Sequence, residues 1–370
     1  MNMDKKVLTA VVIGGGIHGL CAAISLANNG YSVSLIEKRD GLLKGTSGST
    51  HNRAHLGYHY PRSIETVDDC KEGLEYFKKK YPCALYHPKE AYYLIEKGDS
   101  KTSGEEYKEF CNKANIPYQE VFPETVVINK ELFDGCFKVP EPVFDIRILA
   151  KLLKEEAEKL NIEILKKSLL IGSKRLANGK YELSYNNLGK QKTLVTDIII
   201  NATYAYSNNI LKILGLKKYM TKYLLQTTEV VVAKSKIPIP ALTIMDGKFI
   251  SLMPLAGKDN ENLLLIYDVL HSVTNETLGY FYDDSKKYES NFSKMISYAE
   301  IYYPFIRELK YVKSLWGSRP IPYESAGDQR TTRIVSYKEA PGIYSILEGK
   351  FISAPLIAIK LLKKIKQDGY

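Results

Sequence analysis

The feature that most constrains the fold of this chain is a glycine-rich turn between an apolar strand and a helix. Val7 to Ile13 is continuous, apolar and rich in β-branched residues, which is typical of a strand buried on both faces of a parallel sheet. Gly14-Gly15-Gly16-Ile17-His18-Gly19 follows directly, then a helix of small and apolar residues that ends at Gly30. Tyr31 to Ile36 is predicted to be a second strand, which ends at Glu37. The pattern predicts a βαβ unit.

Each part of this unit has a physical role in binding a dinucleotide. Gly14 allows the tight turn, Gly16 lets the backbone approach a pyrophosphate, and Gly19 lets the helix pack against the strand. Unpaired N–H groups at the helix N-terminus attract the phosphates. Glu37 can accept hydrogen bonds from both ribose hydroxyls, and its charge disfavours a 2′-phosphate. The site predicted here consists of Gly14, Gly16, Ile17, His18, Gly19, Glu37 and Lys38. This pattern alone does not distinguish NAD from FAD.

Length and composition limit the classes of protein to consider. With 370 residues, 45% hydrophobic and 25% charged, the chain is typical of a globular protein of two or three domains. Its five cysteines are never spaced as C-x-x-C, so neither a disulfide framework nor a metal site is expected. The net charge of +10 is compatible with an anionic small molecule, but no nucleic-acid motif accompanies it. No apolar run reaches the ~20 residues of a membrane span. We therefore expect a cytoplasmic protein, and its oligomeric state stays open.

A long polar loop, residues 41–62, follows the βαβ unit, and so long a loop is usually functional. It contains Gly45-Thr46-Ser47-Gly48-Ser49-Thr50 and then His55, Gly57 and Tyr60. This order resembles the D-amino-acid-oxidase-like superfamily of flavoproteins, the group of glycine oxidase, L-2-hydroxyglutarate oxidase and glycerol-3-phosphate dehydrogenase. The resemblance implies FAD as the cofactor, phosphate contacts from Thr46 and Ser47, and a loop that passes along the isoalloxazine ring.

Three later segments resemble the same superfamily. Val195 to Thr203 looks like the strand that ends in N-A-x-G beside FAD, which implies that Ala202 contacts the cofactor. Tyr204 stands where glycine is usual, so we expect a different turn there. Gly317-Ser318-Arg319-Pro320 resembles the G-x-R-P motif. Glu348-Gly349-Lys350-Phe351 resembles the glycine-rich turn against the flavin pyrimidine, which implies cofactor contacts from Gly349, Lys350 and Phe351.

The expected fold class is α/β, with two interleaved domains. A Rossmann-like FAD-binding domain with a parallel sheet takes residues 1–83, 145–216 and 315–370. An α+β substrate domain built on an antiparallel sheet takes residues 84–144 and 217–314. Hydrophobic spacing also predicts an N-cap at Asp145, a strand from Lys248 to Met253, another from Leu263 to Leu270, and a long helix from Ser290 to Leu309.

Chemical roles can be proposed for three residues. A flavin oxidises a C–H bond bearing OH or NH by accepting hydride, while another group removes the heteroatom proton. His55 is either that base or a residue that only positions the flavin loop. Arg319 offers a planar fork to a carboxylate or phosphate, and Lys350 can stabilise negative charge on the reduced flavin. His51 lies near the region where some relatives attach flavin covalently, but the registers disagree, so we expect non-covalent FAD.

Weaker candidates for substrate contact are His59 in the loop, and Tyr267 and His271, which are expected four residues apart on one face of a strand. The resulting hypothesis is an FAD-dependent oxidoreductase that oxidises a CH–OH or CH–NH group of a small polar, anionic substrate: a hydroxy acid, an amino acid or a sugar derivative. The alternative is a structural or regulatory FAD-binding protein without redox turnover.

Overall fold

The computed structural model describes residues 7–247, 249–257, 260, 262–323, 332–347 and 349–370. Glu348, the first residue of the predicted flavin turn, and Lys248, the first residue of a predicted strand, lie outside these residues. The helices of the described part are α1 (Ile17–Ala27), α2 (Ile64–Lys80), α3 (Gly104–Lys113), α4 (Ile146–Lys159), α5 (Ser207–Ile213), α6 (Phe292–Ala299) and α7 (Ala354–Gln367). No helix among them is long and apolar enough to cross a bilayer.

The strands within the same residues are β1 (Thr9–Ile13), β2 (Ser32–Ile36), β3 (Leu85–Tyr86), β4 (Ala91–Glu96), β5 (Gln119–Glu120), β6 (Phe133–Lys138), β7 (Val143–Phe144), β8 (Glu163–Leu165), β9 (Ser168–Arg175), β10 (Tyr181–Asn187), β11 (Lys190–Thr196), β12 (Ile198–Asn201), β13 (Tyr223–Lys234), β14 (Ala241–Met245), β15 (Ile250–Pro254), β16 (Leu263–Asp268), β17 (Val273–Gly279), β18 (Lys310–Pro322), β19 (Arg333–Ser336) and β20 (Ile343–Leu347).

The first sheet has the order β19-β20-β12-β1-β2-β8 and is parallel except for β19, which runs antiparallel to β20. β1 lies inside it and is buried on both faces. Ala10 and Val12 pack into a core with α1, α4 and α7, whereas Val11 and Ile13 face the small sheet β11-β10-β9. This double burial explains the unbroken apolar sequence of β1. The predicted Rossmann-like parallel sheet is therefore confirmed.

The second sheet has the order β17-β13-β16-β15-β14-β4-β6-β5, with β18 paired to the other edge of β13. Its pairs are antiparallel, as predicted, except that β14 runs parallel to β4. Its inner face packs against α3 and against Tyr58 of the loop, and its outer face packs against α6. The observed architecture is thus mixed α/β, with a parallel and a mainly antiparallel sheet.

A row of hydroxyl-bearing residues crosses the inner face of this sheet. Tyr93 on β4 is the register partner of Thr243 on β14, which is the partner of Ser251 on β15. Ser251 is in turn the partner of Tyr267 on β16. Side chains of one register row point to the same face. The substrate sheet therefore presents a polar row to loop 41–62 within an otherwise apolar surface.

Two details of the predicted organisation need correction. The predicted domain boundary at residue 315 cuts β18, which pairs with β13 from Tyr223 to Lys234 and so belongs with the second sheet. The division into two domains stays a prediction, with that boundary moved to the end of β18 at Pro322. The predicted helix from Ser290 to Leu309 is also wrong. α6 ends at Ala299, and a separate 3-10 turn begins at Pro304, whose nitrogen has no hydrogen to donate.

The predicted N-cap of α4 is confirmed. Asp145 Oδ1 accepts the backbone N–H of Arg147 at 2.8 Å and that of Ile148 at 3.3 Å. These bonds satisfy two of the N–H groups that a helix leaves free at its start.

Candidate active site

A cavity of about 1010 Å³ lies at the carboxyl ends of β1, β2 and β12, where parallel α/β sheets bind ligands. Most residues predicted to bind a cofactor line it: Gly14, Gly16, Ile17, His18, Glu37, Lys38, Thr46, Ser47, Ala202, Gly349 and Phe351. The two others, Gly19 and Lys350, are not part of its wall. The sequence pattern and the resemblance therefore converge on one cavity.

The glycines of the turn are required by close approaches of the backbone. Gly14 has φ +107°, and a Cβ there would lie 2.6 Å from the carbonyl oxygen of Ala202. A Cβ on Gly19 would lie 1.9 Å from the carbonyl oxygen of Gly14, so Gly19 serves helix packing. Gly16 faces Ser47 Oγ, which accepts the N–H of Ile17 at 3.1 Å. Loop 41–62 thus reaches the N-terminus of α1, where an anion is favoured.

Glu37 and Lys38 follow β2 at the edge of the cavity. The Glu37 carboxylate is buried and accepts the backbone N–H of Gly15 and that of Arg39, each at 2.7 Å. These two bonds fix its orientation toward the cavity and leave acceptor capacity on both oxygens. Lys38 Nζ lies 2.7 Å from Asp284 Oδ2, which comes from the connection between β17 and α6.

That connection, residues 280–290, is here called the strap. Tyr282, Asp284 and Tyr288 of the strap line the cavity. The Tyr282 hydroxyl lies 2.8 Å from Thr227 Oγ1 of β13, and its ring meets Tyr206 edge-on at 5.6 Å. The strap therefore joins the second sheet to the wall beside Glu37. Sequence reasoning missed it because it has neither helical nor strand periodicity; its only signal was its tyrosine content.

Unpaired polar atoms of the wall indicate that a ligand belongs in the cavity. Asn209 Oδ1 and Tyr288 OH are buried and line it, and neither has a hydrogen-bond partner among the described residues. A buried polar group without a partner costs about 1–3 kcal/mol, so a ligand that supplies one is favoured. Together with the close backbone approach at Gly14 and the free acceptors of Glu37, these atoms fit a dinucleotide.

His55 lies outside this cavity wall, on the loop that faces the second sheet. Its ring centroid is 5.7 Å from that of Tyr60 and 5.9 Å from that of His59. Burial, reinforced by the positive charge of Arg53, holds the pKa of His55 well below its usual 6.5. The imidazole is therefore neutral at pH 7 and can accept a proton.

The two predicted cations lie near neutral groups. Lys350 Nζ lies 4.8 Å from the ring centroid of Tyr60 and donates to the Thr66 carbonyl at 3.3 Å. Arg319 Nε donates to Gln226 Oε1 at 2.6 Å, and one terminal nitrogen donates to the Tyr267 hydroxyl at 3.0 Å. In the described part of the chain, no carboxylate pairs with either cation. Within that part of the chain, both positive charges are left without a carboxylate partner.

The weaker candidates separate into two groups. His59 packs edge-on against Phe249 at 4.9 Å, and Tyr267 packs against His51 at 4.7 Å, so both belong to the surroundings of the loop. His271 does not, and the prediction that it shares a strand face with Tyr267 is wrong. β16 ends at Asp268, and His271 lies in the following turn, 2.9 Å from the Asp268 carboxylate and beside Tyr298 of α6.

A sequence profile described as FAD dependent oxidoreductase matches residues 9–358. The chain belongs to this family. Over 105 residues it is 37% identical to the FAD-dependent monooxygenase kojA of Aspergillus flavus, an alignment that covers 27% of this chain and only 24% of that relative.

Solved structures share the fold of this oxidoreductase. Glycine oxidase from Geobacillus kaustophilus has a TM-score of 0.74 and 16% identity, with 98% of this chain and 95% of that chain covered. L-alpha-glycerophosphate oxidase from Mycoplasma pneumoniae, solved with FAD bound, has a TM-score of 0.74 and 18% identity, with the same shares covered. At these identities the likeness shows the fold alone.

Family membership settles two alternatives that the sequence pattern left open. The cofactor of this oxidoreductase is FAD rather than NAD, and the chain is an enzyme rather than a flavin-binding protein without redox turnover. FAD fits the cavity described above. Among the described residues, no cluster of three or more histidine, cysteine or acidic side chains could hold a metal ion.

The turn after β12 corrects one expectation about the oxidoreductase. Tyr204 was expected to force a different turn, because glycine is usual at that position. It has φ +55°, which is the left-handed conformation that favours glycine. The backbone therefore takes a glycine-like conformation with a tyrosine, whose side chain lines the cavity.

Sequence reasoning also missed a buried ion pair behind His55. Arg53 donates to Ser251 Oγ at 2.8 Å and contacts the hydroxyls of Tyr93 and Thr243, so it fills part of the polar row. Its ion-pair partner is Glu141, at 3.3 Å. Both side chains are buried, at 4% and 3% exposure. The available signal was an acid between two prolines in an apolar segment, Val139-Pro140-Glu141-Pro142-Val143.

Proposed function

We propose that this oxidoreductase oxidises a CH–OH or CH–NH group of a small polar, anionic substrate and that FAD is bound non-covalently. The observation that carries the proposal is the environment of Arg319. Its hydrogen-bond partners among the described residues, Gln226 and Tyr267, are neutral, which supports a role for its positive charge in binding a carboxylate or phosphate of the substrate.

His55 is proposed to take the heteroatom proton. It is neutral because burial lowers its pKa, and it lies on the loop whose Ser47 reaches the helix that receives the cofactor phosphates. FAD, when bound, supplies the hydride acceptor. The chain's own groups hold the substrate anion at Arg319 and remove the proton at His55.

Lys350 is proposed to act on the cofactor. Its ammonium lies against Tyr60 of the flavin loop and lacks a carboxylate partner in the described part of the chain. A cation held in this way stabilises negative charge that develops nearby. Gly349 and Phe351, on either side of it, are proposed to contact the cofactor directly, since both line the cavity.

This arrangement supports small anions with an oxidisable C–H bond as the substrate class. Among the structural neighbours, one is named a glycine oxidase and another a glycerophosphate oxidase, so an amine and an alcohol are both candidates. We therefore propose a hydroxy acid, an amino acid or an anionic sugar derivative, with the recognised anion at Arg319 as the common element.

An anaerobic screen tests the proposal. Purified protein is mixed without oxygen with a panel of amino acids, hydroxy acids, polyol phosphates and sugar acids, and flavin absorbance is followed. We expect bleaching by at least one anionic member and by none of the neutral analogues. His55→Ala should slow flavin reduction by about 10²–10⁴. If neutral analogues reduce the flavin as fast as anionic ones do, the result would contradict the proposed role of Arg319.

Acid precipitation of the protein tests the mode of cofactor binding. We expect all of the flavin in the supernatant. Flavin that stays with the pellet would show a covalent link, and His51 would be the first residue to substitute.

A further inference from the structure

Glu141 is a buried carboxylate whose hydrogen-bond partners are all donors. Its Oε1 accepts the backbone N–H of Leu56 at 2.9 Å, and its Oε2 accepts the Tyr93 hydroxyl at 2.7 Å and lies 3.3 Å from an Arg53 nitrogen. Burial raises the pKa of Glu141 above its usual 4.5, and Arg53, Tyr93 and the Leu56 N–H offset part of that rise. An environment made only of donors is that of the ionised form.

The same carboxylate stands behind His55. Glu141 Oε1 is 3.9 Å from His55 Nδ1, too far for a hydrogen bond but adjacent to it. Nδ1 is buried and has no hydrogen-bond partner among the described residues. A quarter of the His55 side chain is nevertheless exposed. The accessible edge of the ring is therefore not the one that faces Glu141.

We propose that Glu141 is a positioning residue for His55, whose Nδ1–H it fixes so that Nε2 is left as the proton acceptor, and that Arg53 keeps Glu141 ionised in this role. This inference rests on the proposed function of His55 as the base. FAD, when bound, would accept the substrate C–H hydrogen with its electron pair as hydride, and the heteroatom proton would go to His55 Nε2. The Nδ1–H edge of the resulting imidazolium would face the Glu141 carboxylate, whose charge stabilises it, and no other reactant would be consumed.

The charges around His55 explain why this carboxylate matters. Among the described residues, the ionisable groups that face the imidazole are Arg53, His51, His59, Tyr60, Lys350 and Glu141. Glu141 is the one carboxylate in this group, and the arginine, lysine and histidines carry positive charge or gain it on protonation. Without Glu141, a proton taken from the substrate would create a buried cation beside two fixed cations. Opposite charge within about 4–6 Å stabilises the charged form.

A structural role for Glu141 is the competing explanation, because its bond to the Leu56 N–H holds the loop. Glu141→Gln separates the two roles. The amide oxygen at the Oε1 position can still accept the Leu56 N–H, and the amide nitrogen at the Oε2 position can donate to the Tyr93 hydroxyl, while the negative charge is lost. The matched control is Glu90→Gln, whose carboxylate binds Tyr92 and Lys138 on the other side of the sheet.

Stopped-flow reduction of the FAD-loaded enzyme is the first measurement. We expect Glu141→Gln to lower the limiting reduction rate by about 10- to 100-fold, as loss of a residue that orients a catalytic imidazole does. The substrate concentration for half-maximal rate should stay within about twofold of wild type, since Glu141 does not touch the substrate. Loss of the carboxylate disfavours the imidazolium, so the acid limb of the rate profile should move to lower pH. Glu90→Gln should change none of these quantities.

A double-variant cycle with His55→Ala separates the possible failures. If Glu141 acts through His55, the double variant should reduce flavin no more slowly than His55→Ala alone. If the rate reductions of the two single variants multiply in the double variant, the two residues act independently. That result would overturn the inference and leave Glu141 as a structural residue, while His55 would keep its role. Normal flavin reduction in His55→Ala would overturn the proposed base itself, and the role of Glu141 with it.

The nitrogen resonances of His55 supply a measurement that does not depend on turnover. In ¹⁵N-labelled protein, with and without FAD, we expect His55 to carry its proton on Nδ1. Glu141→Gln should shift the tautomer toward Nε2–H, with flavin affinity unchanged. A His55 tautomer that is the same in wild type and variant would contradict the inference even if the reduction rate falls.

Discussion

Lys38 and Asp284 form a contact between the two sheets beside the cavity: the ammonium that follows Glu37, the predicted ribose-binding acid, lies 2.7 Å from a carboxylate of the strap. The two side chains are 30% and 43% exposed, so the pair is partly screened. The pair matters because of its position: Lys38 directly follows Glu37 in the chain, and Asp284 is a strap residue that contacts Lys38.

Asp284→Ala should therefore speed the release of FAD. A partly exposed ion pair contributes about 0–1 kcal/mol, which corresponds to up to about fivefold in the dissociation constant. Flavin fluorescence after dilution measures the release rate. The neighbouring Asp283→Ala is the control, because the hydrogen bond that Asp283 makes in the described part of the chain is within the strap, to the N–H of Ser285. Equal release from both variants would show that the Lys38 pair does not retain the cofactor.

Gly19→Ala should weaken cofactor binding without a change in charge. Its Cβ would lie 1.9 Å from the carbonyl oxygen of Gly14, so α1 must move away from β1 and spoil the phosphate site. Overpacking of this kind costs about 1–3 kcal/mol. The ratio of flavin to protein absorbance measures the effect. Gly279→Ala, where a Cβ meets nothing within 4 Å, should keep its full flavin content; a normal flavin content in Gly19→Ala would contradict the packing argument.

The sequence was sufficient to predict the structural features that depend on residues close together in the chain. The strand β1, the turn at Gly14 and the acid at Glu37 are set by local pattern, and they lie together as expected. The polar row of Tyr93, Thr243, Ser251 and Tyr267 could not be predicted, because it depends on the register of three strands with one another and on their pairing with the distant β4. The ion pair of Arg53 and Glu141, 88 positions apart, was missed for the same reason.

Local pattern also misled in two places. Apolar spacing between Ser290 and Leu309 suggested one helix, but Pro304 cannot donate the hydrogen bond that a helix requires, and tertiary packing places Tyr303 and Ile306 in the core outside α6. The expectation of a different turn at Tyr204 depended on its residue type alone. The fold holds it at φ +55°, where the cost of about 1–2 kcal/mol for an L-residue is outweighed by its surroundings.

Arg319→Met should weaken substrate capture more than it slows chemistry. Loss of a charge-assisted hydrogen bond costs about 1.5–3 kcal/mol, or about 10- to 150-fold in kcat/KM with an anionic substrate. Arg319→Lys keeps the charge but loses the planar fork, so an intermediate value is expected. The exposed Arg175→Met is the control. Steady-state kinetics with an anionic substrate and its neutral ester or amide measures the discrimination, and an equal loss for both would contradict an anion site at Arg319.

Asp197 should give the oxidoreductase a pH-dependent stability that is independent of the active site. Its carboxylate accepts the Thr9 N–H at 2.9 Å, the Thr9 hydroxyl at 2.7 Å and Lys180 Nζ at 2.9 Å, so it joins the start of β1 to the start of β12. Burial raises the pKa of Asp197, but these bonds outweigh it and hold the pKa below its usual 3.8. A depressed carboxyl pKa stabilises the folded state above the unfolded pKa, and that contribution is lost as pH falls through the folded value.

The prediction concerns Asp197→Ala in cofactor-free protein. Its free energy of unfolding should be lower than that of wild type by about 1–3 kcal/mol at neutral pH, because the Thr9 N–H and hydroxyl and Lys180 lose their acceptor. Urea unfolding at a series of pH values measures the difference. It should stay constant from about pH 8 to about pH 5 and shrink below about pH 4, as the wild-type carboxyl becomes protonated. Asp197→Asn keeps an acceptor oxygen, so its unfolding free energy should fall less than that of Asp197→Ala. This smaller difference from wild type should shrink over the same pH range. A deficit that stays unchanged in acid would mean that Asp197 stabilises β1 through packing rather than through its charge.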